Sequence, residues 1–285
     1  MIAINAPAKI NLYLHVLGRR QDGFHNLDSF IAFTEFSDSI RVRASNSIKL
    51  LTNGPFANSM GPKKLNLVLK AAQALKHYMG ISQGAEIVLE KNLPVAAGLG
   101  GGSSDAAATL LALMKLWKSD FELDDFLPFA AGLGSDIPVC LMGQAAFISG
   151  IGEKVKPVEG FPSCPLLLVN PRIELSTKNV FLKVKSPYSI GAKHDNVPKN
   201  FEDLISFLTK GQGNDLRKPA IELVPQISKI LEFFEKDPKC RFANMSGSGP
   251  TCFGLYKDSA SALAAAHKCS VENPSWWSVC TNLTS

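Results

Sequence analysis

The sequence lacks several features that would place it in a well-known class at once. In 285 residues no apolar run reaches the ~18 residues that a membrane-spanning helix needs, and no signal-peptide cleavage pattern follows the N-terminus. The six cysteines contain no C-x-x-C pair, which disfavours a metal site or a disulfide framework and favours reduced, buried thiols. We therefore expect a cytoplasmic protein whose cysteines form neither a metal site nor a disulfide framework.

Two common phosphate-binding motifs are missing as well. No Gly-x-x-x-x-Gly-Lys-Ser/Thr sequence occurs, which excludes a P-loop. The dinucleotide-binding fingerprint fails because Ser103 replaces the last glycine of the run that starts at Gly98. The net charge of +5 does not decide between two classes of ligand, since it suits a nucleic-acid-binding surface and a cleft for polyphosphates equally well.

A glycine-rich segment is nevertheless present, because residues 93–108 read LPVAAGLGGGSSDAAA. The preceding segment, Glu86–Lys91, has the composition of a strand, and an apolar stripe at helical spacing runs from Leu110 to Trp117. Glycines let the backbone approach a ligand, and a helix N-terminus attracts anions. The segment therefore predicts a phosphate cradle; the alternative is a glycine-rich linker whose serines only cap the helix.

The overall pattern predicts an α+β fold with helices on one face of the sheet, because strands outnumber simple crossovers. A domain boundary is expected between residues 150 and 165, where Gly, Pro and Lys accumulate. The predicted elements are helices at about 65–77, 124–131, 201–209 and 221–236, strands at 145–148, 165–169, 241–245 and 251–256, and a mobile surface loop at 177–200.

Three shorter segments carry polar residues that suit a reaction site. Lys9 and Asn11 share one face of a predicted strand, which is either a rigid mounting for reacting groups or an ordinary solvent face. Asp136 follows a helix stop and is either a functional carboxylate or a turn and helix cap. Residues 246–249, SGSG, either cradle a second phosphate or turn a hairpin.

The segments at 7–14, 93–108 and 246–249 stand in the order and approximate spacing of the three motifs of the GHMP small-molecule kinases. The chain resembles this family over nearly its whole length. The resemblance implies a two-domain GHMP kinase fold, with a ribosomal protein S5 domain 2-like N-terminal domain at 1–157 and a ferredoxin-like C-terminal domain at 158–285.

One branch of the family is especially similar. The shared features are residues 7–29 (PAKINLYLHVLGRRQDGFHNLDS), the triple glycine of GLGGGSS and residues 134–141 (GSDIPVCL). This branch uses ATP to phosphorylate the 2-hydroxyl of a CDP-linked methylerythritol on the non-mevalonate route to isoprenoid precursors. The resemblance therefore implies an ATP-dependent kinase with two small-molecule substrates.

The resemblance also assigns the two residues nearest the chemistry. By position, Asp136 matches the catalytic aspartate of the family and Lys9 matches the lysine beside it. Phosphoryl transfer requires positioning, charge stabilisation and a base for the alcohol proton. An ammonium beside a carboxylate favours its ionised form and orients the hydroxyl.

For ATP, the resemblance implies contacts from the glycine-rich segment and from two residues that precede it. Asn66 reads equally well as a helix cap. Asp105 stands where some relatives have Asn, and beside a triphosphate it should point away or cap the helix. Mg²⁺ is expected to be carried on the ATP phosphates and water. The implied ATP-contacting residues are Asn66, Lys91, Pro94, Gly98, Leu99, Gly100, Gly101, Gly102, Ser103 and Ser104.

For the acceptor, the resemblance implies that Phe24 and Phe181 sandwich the cytosine while His25 reads its hydrogen-bonding edge. The alternatives are core packing for the two phenylalanines and a surface-loop histidine. Phe24 stands where many relatives have Tyr, so stacking survives but a phenolic hydrogen bond is lost. The implied acceptor-binding residues are Asn11, Phe24, His25, Thr177, Phe181, Gly247, Ser248 and Gly249.

Two other interpretations stay open at this stage. The chain could be another kinase of the same family, acting on homoserine or mevalonate, although residues 7–29 and the triple glycine argue against it. A nucleic-acid-binding module would suit the basic charge and would show steeply salt-dependent binding. We expect neither nucleic acid nor a membrane as a partner, and a monomer or weak homodimer.

Overall fold

The computed structural model describes residues 1–62, 66–119, 122–192 and 197–284, and the chain forms two compact units. Strands β1 (Ile2–Arg19) and β2 (His25–Ser45) supply residues to both units. Within the described ranges, no helix is both long and apolar enough to cross a membrane. The first unit comprises Met1–Lys9, Phe36–Val95 and Gly100–Gly143, and the second comprises Ile10–Glu35, Ala96–Leu99 and Gln144–Ser285.

The first unit joins three strands to a group of helices. Strand β3 (Lys49–Asn53) runs parallel to β4 (Gly84–Glu90), which pairs antiparallel with Ser39–Ser45 of β2. The helices are α1 (Leu67–Tyr78), α2 (Gly101–Leu116), α3 (Leu123–Leu133) and α4 (Ile137–Met142), with a short 3₁₀ helix at Ala57–Ser59. Helix α2 packs on α1 and α4, and its buried alanines allow close approach of the neighbouring helices.

In the second unit, residues Leu27–Ile31 of β2 pair antiparallel with β5 (Ala146–Gly150), and β5 pairs with β6 (Lys154–Pro157). A separate four-stranded antiparallel sheet has the order β10 (Trp277–Asn282), β7 (Pro165–Asn170), β9 (Cys252–Tyr256), β8 (Cys240–Met245). The helices are α5 (Thr177–Leu182), α6 (Phe201–Thr209), α7 (Arg217–Leu223), α8 (Gln226–Glu235) and α9 (Ser259–Glu272).

The α+β prediction is confirmed, whereas two predicted elements of the second unit are wrong. The helix expected at 221–236 is the pair α7 and α8, separated by Val224 and Pro225. Proline disfavours a helical conformation in the residue before it, and Val224 has an extended ψ of 85°. The stretch 177–200 is not a loop throughout, because α5 occupies its start, capped by Ser176 and anchored by the buried Val180.

Several boundaries and elements differ in smaller ways. The helix expected at 65–77 is α1, which begins at Leu67 after the N-cap Asn66, and residue 65 lies outside the described part of the chain. Helix α9 and strand β10 were not predicted from the sequence.

All six cysteines are free thiols that form no disulfide. Four are buried as expected, while Cys240 and Cys280 are only half-buried.

Candidate active site

The first unit brings Lys9 and Asp136 together. Lys9 lies on β1 with its side chain buried, and its Nζ is 3.2 Å from Oδ2 of Asp136. The Asp136 side chain remains 34% exposed, so the pair is not sealed in the interior. The face of β1 that carries Lys9 is therefore not the ordinary solvent face that was one interpretation of its polar residues.

Asp136 occupies the N-cap position of α4, yet its side chain makes no capping hydrogen bond. Capping was the simplest structural explanation for an aspartate after a helix stop. The carboxylate is instead directed to the ammonium of Lys9, and the Asp136 side chain is partly exposed. This arrangement suits a group that accepts a proton from an alcohol.

The glycine-rich segment connects to α2 as the sequence predicts, with Gly100 at the N-cap in a left-handed conformation (φ 61°). A Cβ placed on Gly100 would lie 2.8 Å from Cε of Lys9, so a larger residue there would displace the lysine and strain the left-handed backbone. The hydroxyl of Ser104 donates to the carbonyl of Pro7 at 2.7 Å. Ser104 therefore ties α2 to β1, while Gly102 is exposed and Ser103 half-exposed at the helix start.

Lys91 is buried between two carboxylates. Its Nζ lies 2.5 Å from Oδ2 of Asp38 and 2.7 Å from Oδ2 of Asp105. Asp105 therefore belongs to the interior and not to the helix cap that was one expectation for it. Pro94 and Leu99, also among the implied ATP contacts, are buried as well.

Asn66 acts as the helix cap that was its alternative role. Its Oδ1 accepts a hydrogen bond from the Val68 N–H at 2.9 Å at the start of α1. The side-chain amide nitrogen faces the sulfur of Met60 at 3.8 Å. An ATP contact by Asn66 stays a prediction and would have to coexist with this cap.

In the second unit, residues 246–249 form the loop of the β8–β9 hairpin, as one of the two interpretations predicts. Ser246 Oγ accepts from the Asn11 N–H at 3.1 Å and donates to the Gly98 carbonyl at 2.9 Å. A Cβ on Gly98 would collide with the Ser246 carbonyl, so the start of the glycine-rich segment packs directly on the hairpin loop. Asn214, which the sequence did not single out, braces this loop through the carbonyls of Met245 and Gly247.

Other predicted acceptor residues of the second unit also meet. The Asn11 side-chain amide is buried and donates to Ser29 Oγ at 2.9 Å. The hydroxyls of Thr177 and Ser248 lie 2.8 Å apart. These hydrogen bonds link polar side chains from different elements of the fold. They hold the Asn11 amide and the Thr177 and Ser248 hydroxyls in fixed positions, as a binding site requires.

Two aromatic side chains lie against the ring of His25. Its ring stacks on Phe181 with 5.2 Å between centroids. Tyr188, which sequence analysis missed, stands edge-on to His25 at 6.5 Å. Phe24 is 58% exposed on a turn in which its N–H donates to Asp22. No periodic pattern surrounds Tyr188, so only the fold could reveal its position beside His25.

Partial burial lowers the pKa of His25, and the positive charge of Arg19 lowers it further. The imidazole is therefore neutral at pH 7, with one nitrogen donating and the other accepting. A neutral ring of this kind matches the mixed donor and acceptor edge of a nucleobase.

Two GHMP kinase family models match separate stretches of the chain. The N-terminal GHMP kinase domain family matches residues 66–144, and the C-terminal GHMP kinase family matches residues 193–273. A 4-diphosphocytidyl-2-C-methyl-D-erythritol kinase of Paramagnetospirillum magneticum is 41% identical over 275 residues, covering 96% of each chain. A kinase of the same name from Brucella suis is 40% identical over 285 residues, covering 96% of this chain and 92% of its own.

Solved structures give the same picture. A crystal structure of 4-(cytidine 5'-diphospho)-2C-methyl-D-erythritol kinase matches over the full length of both chains, with a TM-score of 0.82 and 31% identity. Homoserine kinase from Cytophaga hutchinsonii has a TM-score of 0.73 at 17% identity, which reflects the shared fold alone. Both the identity and the TM-score are thus higher for the CDP-linked methylerythritol kinase than for this homoserine kinase.

Proposed function

The chain belongs to the 4-diphosphocytidyl-2-C-methyl-D-erythritol kinases of the GHMP family, and we propose that Lys9 and Asp136 catalyse the transfer of phosphate from ATP to the 2-hydroxyl of this acceptor. It is an ATP-dependent small-molecule kinase. The observation that supports the assignment of residues best is the Lys9–Asp136 ion pair beside Gly100, at the start of the glycine-rich helix.

In the proposed reaction, Asp136 accepts the proton of the 2-hydroxyl as that oxygen attacks the γ-phosphorus of ATP. The bond from the γ-phosphorus to the β,γ-bridging oxygen breaks, and ADP leaves with its electron pair. Lys9 holds the carboxylate at 3.2 Å, and its positive charge stabilises the negative charge that develops on the transferred group. The acceptor leaves as its 2-phosphate.

The phosphate chain of ATP is proposed to lie at the N-terminus of α2. The exposed backbone at Gly102 and the half-exposed Gly101 and Ser103 offer N–H groups there, and the helix dipole favours negative charge. Gly100 allows the backbone to turn past Lys9 without a clash. This arrangement brings the anion-binding N–H groups next to the lysine of the reacting pair.

Mg²⁺ is proposed to arrive with ATP. Within the described ranges, no group of three or more His, Cys, Asp or Glu side chains could hold a metal ion. Asp38 and Asp105 are already held by Lys91, which leaves them poorly suited as ligands. Mg²⁺ commonly keeps several waters and binds substrate phosphates, where it neutralises charge.

The cytidine end of the acceptor is proposed to bind among His25, Phe181, Tyr188 and Phe24. Aromatic faces supply stacking for any base, whereas the neutral His25 supplies hydrogen bonds that distinguish cytosine. The Tyr188 hydroxyl offers a phenolic hydrogen-bonding group that Phe24 cannot. The Thr177 and Ser248 hydroxyls and the Asn11 amide are proposed to bind the diphosphate and the methylerythritol.

The direct test is ADP release from MgATP with the CDP-linked methylerythritol, beside methylerythritol phosphate, homoserine and mevalonate. We expect turnover with the CDP-linked compound alone. Turnover with methylerythritol phosphate would remove the nucleoside site from the proposal, and turnover with homoserine or mevalonate would assign another acceptor. Binding of ATP without ADP release from any acceptor would contradict the proposed reaction.

A further inference from the structure

Three charged side chains of the first unit form a buried triplet: Asp38 from β2, Lys91 just after β4, and Asp105 from the second turn of α2. Their side chains are at most 4% exposed. Lys91 Nζ directs two of its three N–H donors to the two carboxylates. The two carboxylates already balance the buried positive charge of Lys91, so a bound nucleotide is not needed to balance it.

The triplet also binds the backbone where the glycine-rich segment begins, and it lies beside Gly101, where α2 begins. Oδ1 of Asp38 accepts hydrogen bonds from the N–H groups of Asn92 and Leu93, at 2.5 and 2.8 Å. A Cβ on Gly101, the first residue of α2, would lie 3.0 Å from Lys91 Nζ. The ammonium therefore lies directly beneath the helix start, on the side that faces the interior.

We propose that the Asp38–Lys91–Asp105 triplet positions the phosphate-binding loop, and that Lys91 acts through the two aspartates without touching ATP. The proposal rests on the ATP-binding role given above to the start of α2. It replaces the direct ATP contact that family resemblance implies for Lys91. An ammonium close to a helix N-terminus opposes the helix dipole, and the two carboxylates offset this unfavourable charge.

The three members of the triplet are not equivalent. Asp38 keeps two backbone donors even without the lysine. In the described part of the chain, Oδ1 of Asp105 has no hydrogen-bond partner, while its Oδ2 accepts from the ammonium of Lys91 at 2.7 Å. Without the ammonium, Asp38 and Asp105 would be two neighbouring buried acids with no cation between them, and one of them would have to take up a proton, whereas a further Asp105→Asn change removes this conflict.

This asymmetry gives a rescue experiment. ATP dissociation constants and thermal stability are measured for Lys91→Met, Asp105→Asn and the double variant, with the exposed Lys115→Met of α2 as the matched lysine control. We expect Lys91→Met to raise the dissociation constant for ATP by about tenfold or more, as the loss of one buried charge partner does. The double variant should recover a dissociation constant within about threefold of the wild type. Lys115→Met should leave ATP affinity unchanged.

A double variant that binds ATP as weakly as Lys91→Met would overturn the proposal, because the ammonium itself would then contact ATP. If Lys91→Met does not fold, amide hydrogen exchange of residues 99–106 is compared between the wild type and Asp105→Asn in the absence of nucleotide. Faster exchange there supports positioning, and unchanged exchange contradicts it. These measurements contain no acceptor, so they are independent of the acceptor assignment, and a wild-type protein that binds no ATP would identify failure of the proposed function itself.

Discussion

The side chain of Lys9 runs so close to Gly100 that a methyl group on the glycine would lie 2.8 Å from Cε of the lysine. The same lysine holds Asp136 through its Nζ at 3.2 Å. One side chain thus links the glycine-rich loop to the proposed base, and the space at Gly100 determines where the ammonium lies.

Gly100→Ala should therefore lower kcat by about tenfold or more, because the new methyl displaces Lys9 and strains a backbone with φ of 61°. Steady-state kinetics with both substrates measures the effect. Gly132→Ala is the matched control, since nothing lies within 4 Å of its added Cβ. Equal kcat values for the two variants would show that Lys9 does not need this space.

Asp136→Asn should lower kcat by about 10²- to 10⁴-fold with little change in either KM, because the amide keeps the size of the carboxylate but cannot accept the proton. The exposed Asp125→Asn on α3 controls for loss of a surface charge in the same unit. Full turnover by a folded Asp136→Asn protein would show that another group takes the proton.

Phe24→Ala should raise the KM for the CDP-linked acceptor by roughly five- to a hundredfold and leave the KM for ATP unchanged, because loss of one stacked base costs about 1–3 kcal/mol. Phe24→Tyr should keep or lower the wild-type KM, since the ring survives and a phenolic hydroxyl is added. The exposed Leu263→Ala on α9 serves as the control. An unchanged acceptor KM in Phe24→Ala would remove this ring from the nucleoside site.

The acceptor KM should be constant from pH 8 down to about 6.5 and rise below it. Partial burial and Arg19 lower the pKa of His25, so the ring is neutral over the upper range and can accept a hydrogen bond there. Protonation at lower pH removes that acceptor. His25→Gln, which does not titrate, should weaken binding but abolish the rise; a rise that persists in His25→Gln would have another origin.

The free energy of unfolding should depend on pH through the protonation of Asp105. Burial raises the pKa of this carboxyl from 3.8 to about 7, so the folded protein binds more protons than the unfolded one between these values. Stability of the wild type relative to Asp105→Asn should therefore fall as pH rises from 5 to about 7 and then level off. Urea unfolding at several pH values measures this difference.

Asp258→Asn provides the control for that series. Hydrogen bonds from Ser261 lower the pKa of the Asp258 carboxyl, so its contribution to stability is lost only below pH 4. The stability difference between wild type and Asp258→Asn should be flat from pH 5 to 8. A flat difference for Asp105→Asn as well would contradict the raised pKa.

The local features of the site follow from the sequence, because they depend on residues close together in the chain. Strand periodicity placed Lys9 and Asn11 on one face of β1, and glycines between apolar segments predicted both the loop before α2 and the β8–β9 hairpin. The family resemblance added Asp136 and the aromatic residues, but gave no distance between any two of them.

Tertiary structure decided which distant side chains meet. Asp38 pairs with Lys91 only because Ser39–Ser45 of β2 aligns with β4, and Asp105 joins them only because α2 packs beside that sheet. Tyr188 reaches His25 in the same way, from a segment without helical or strand periodicity. Local sequence determines backbone conformation, whereas strand register and helix packing determine the partners of a buried charge or ring, and these depend on the whole chain.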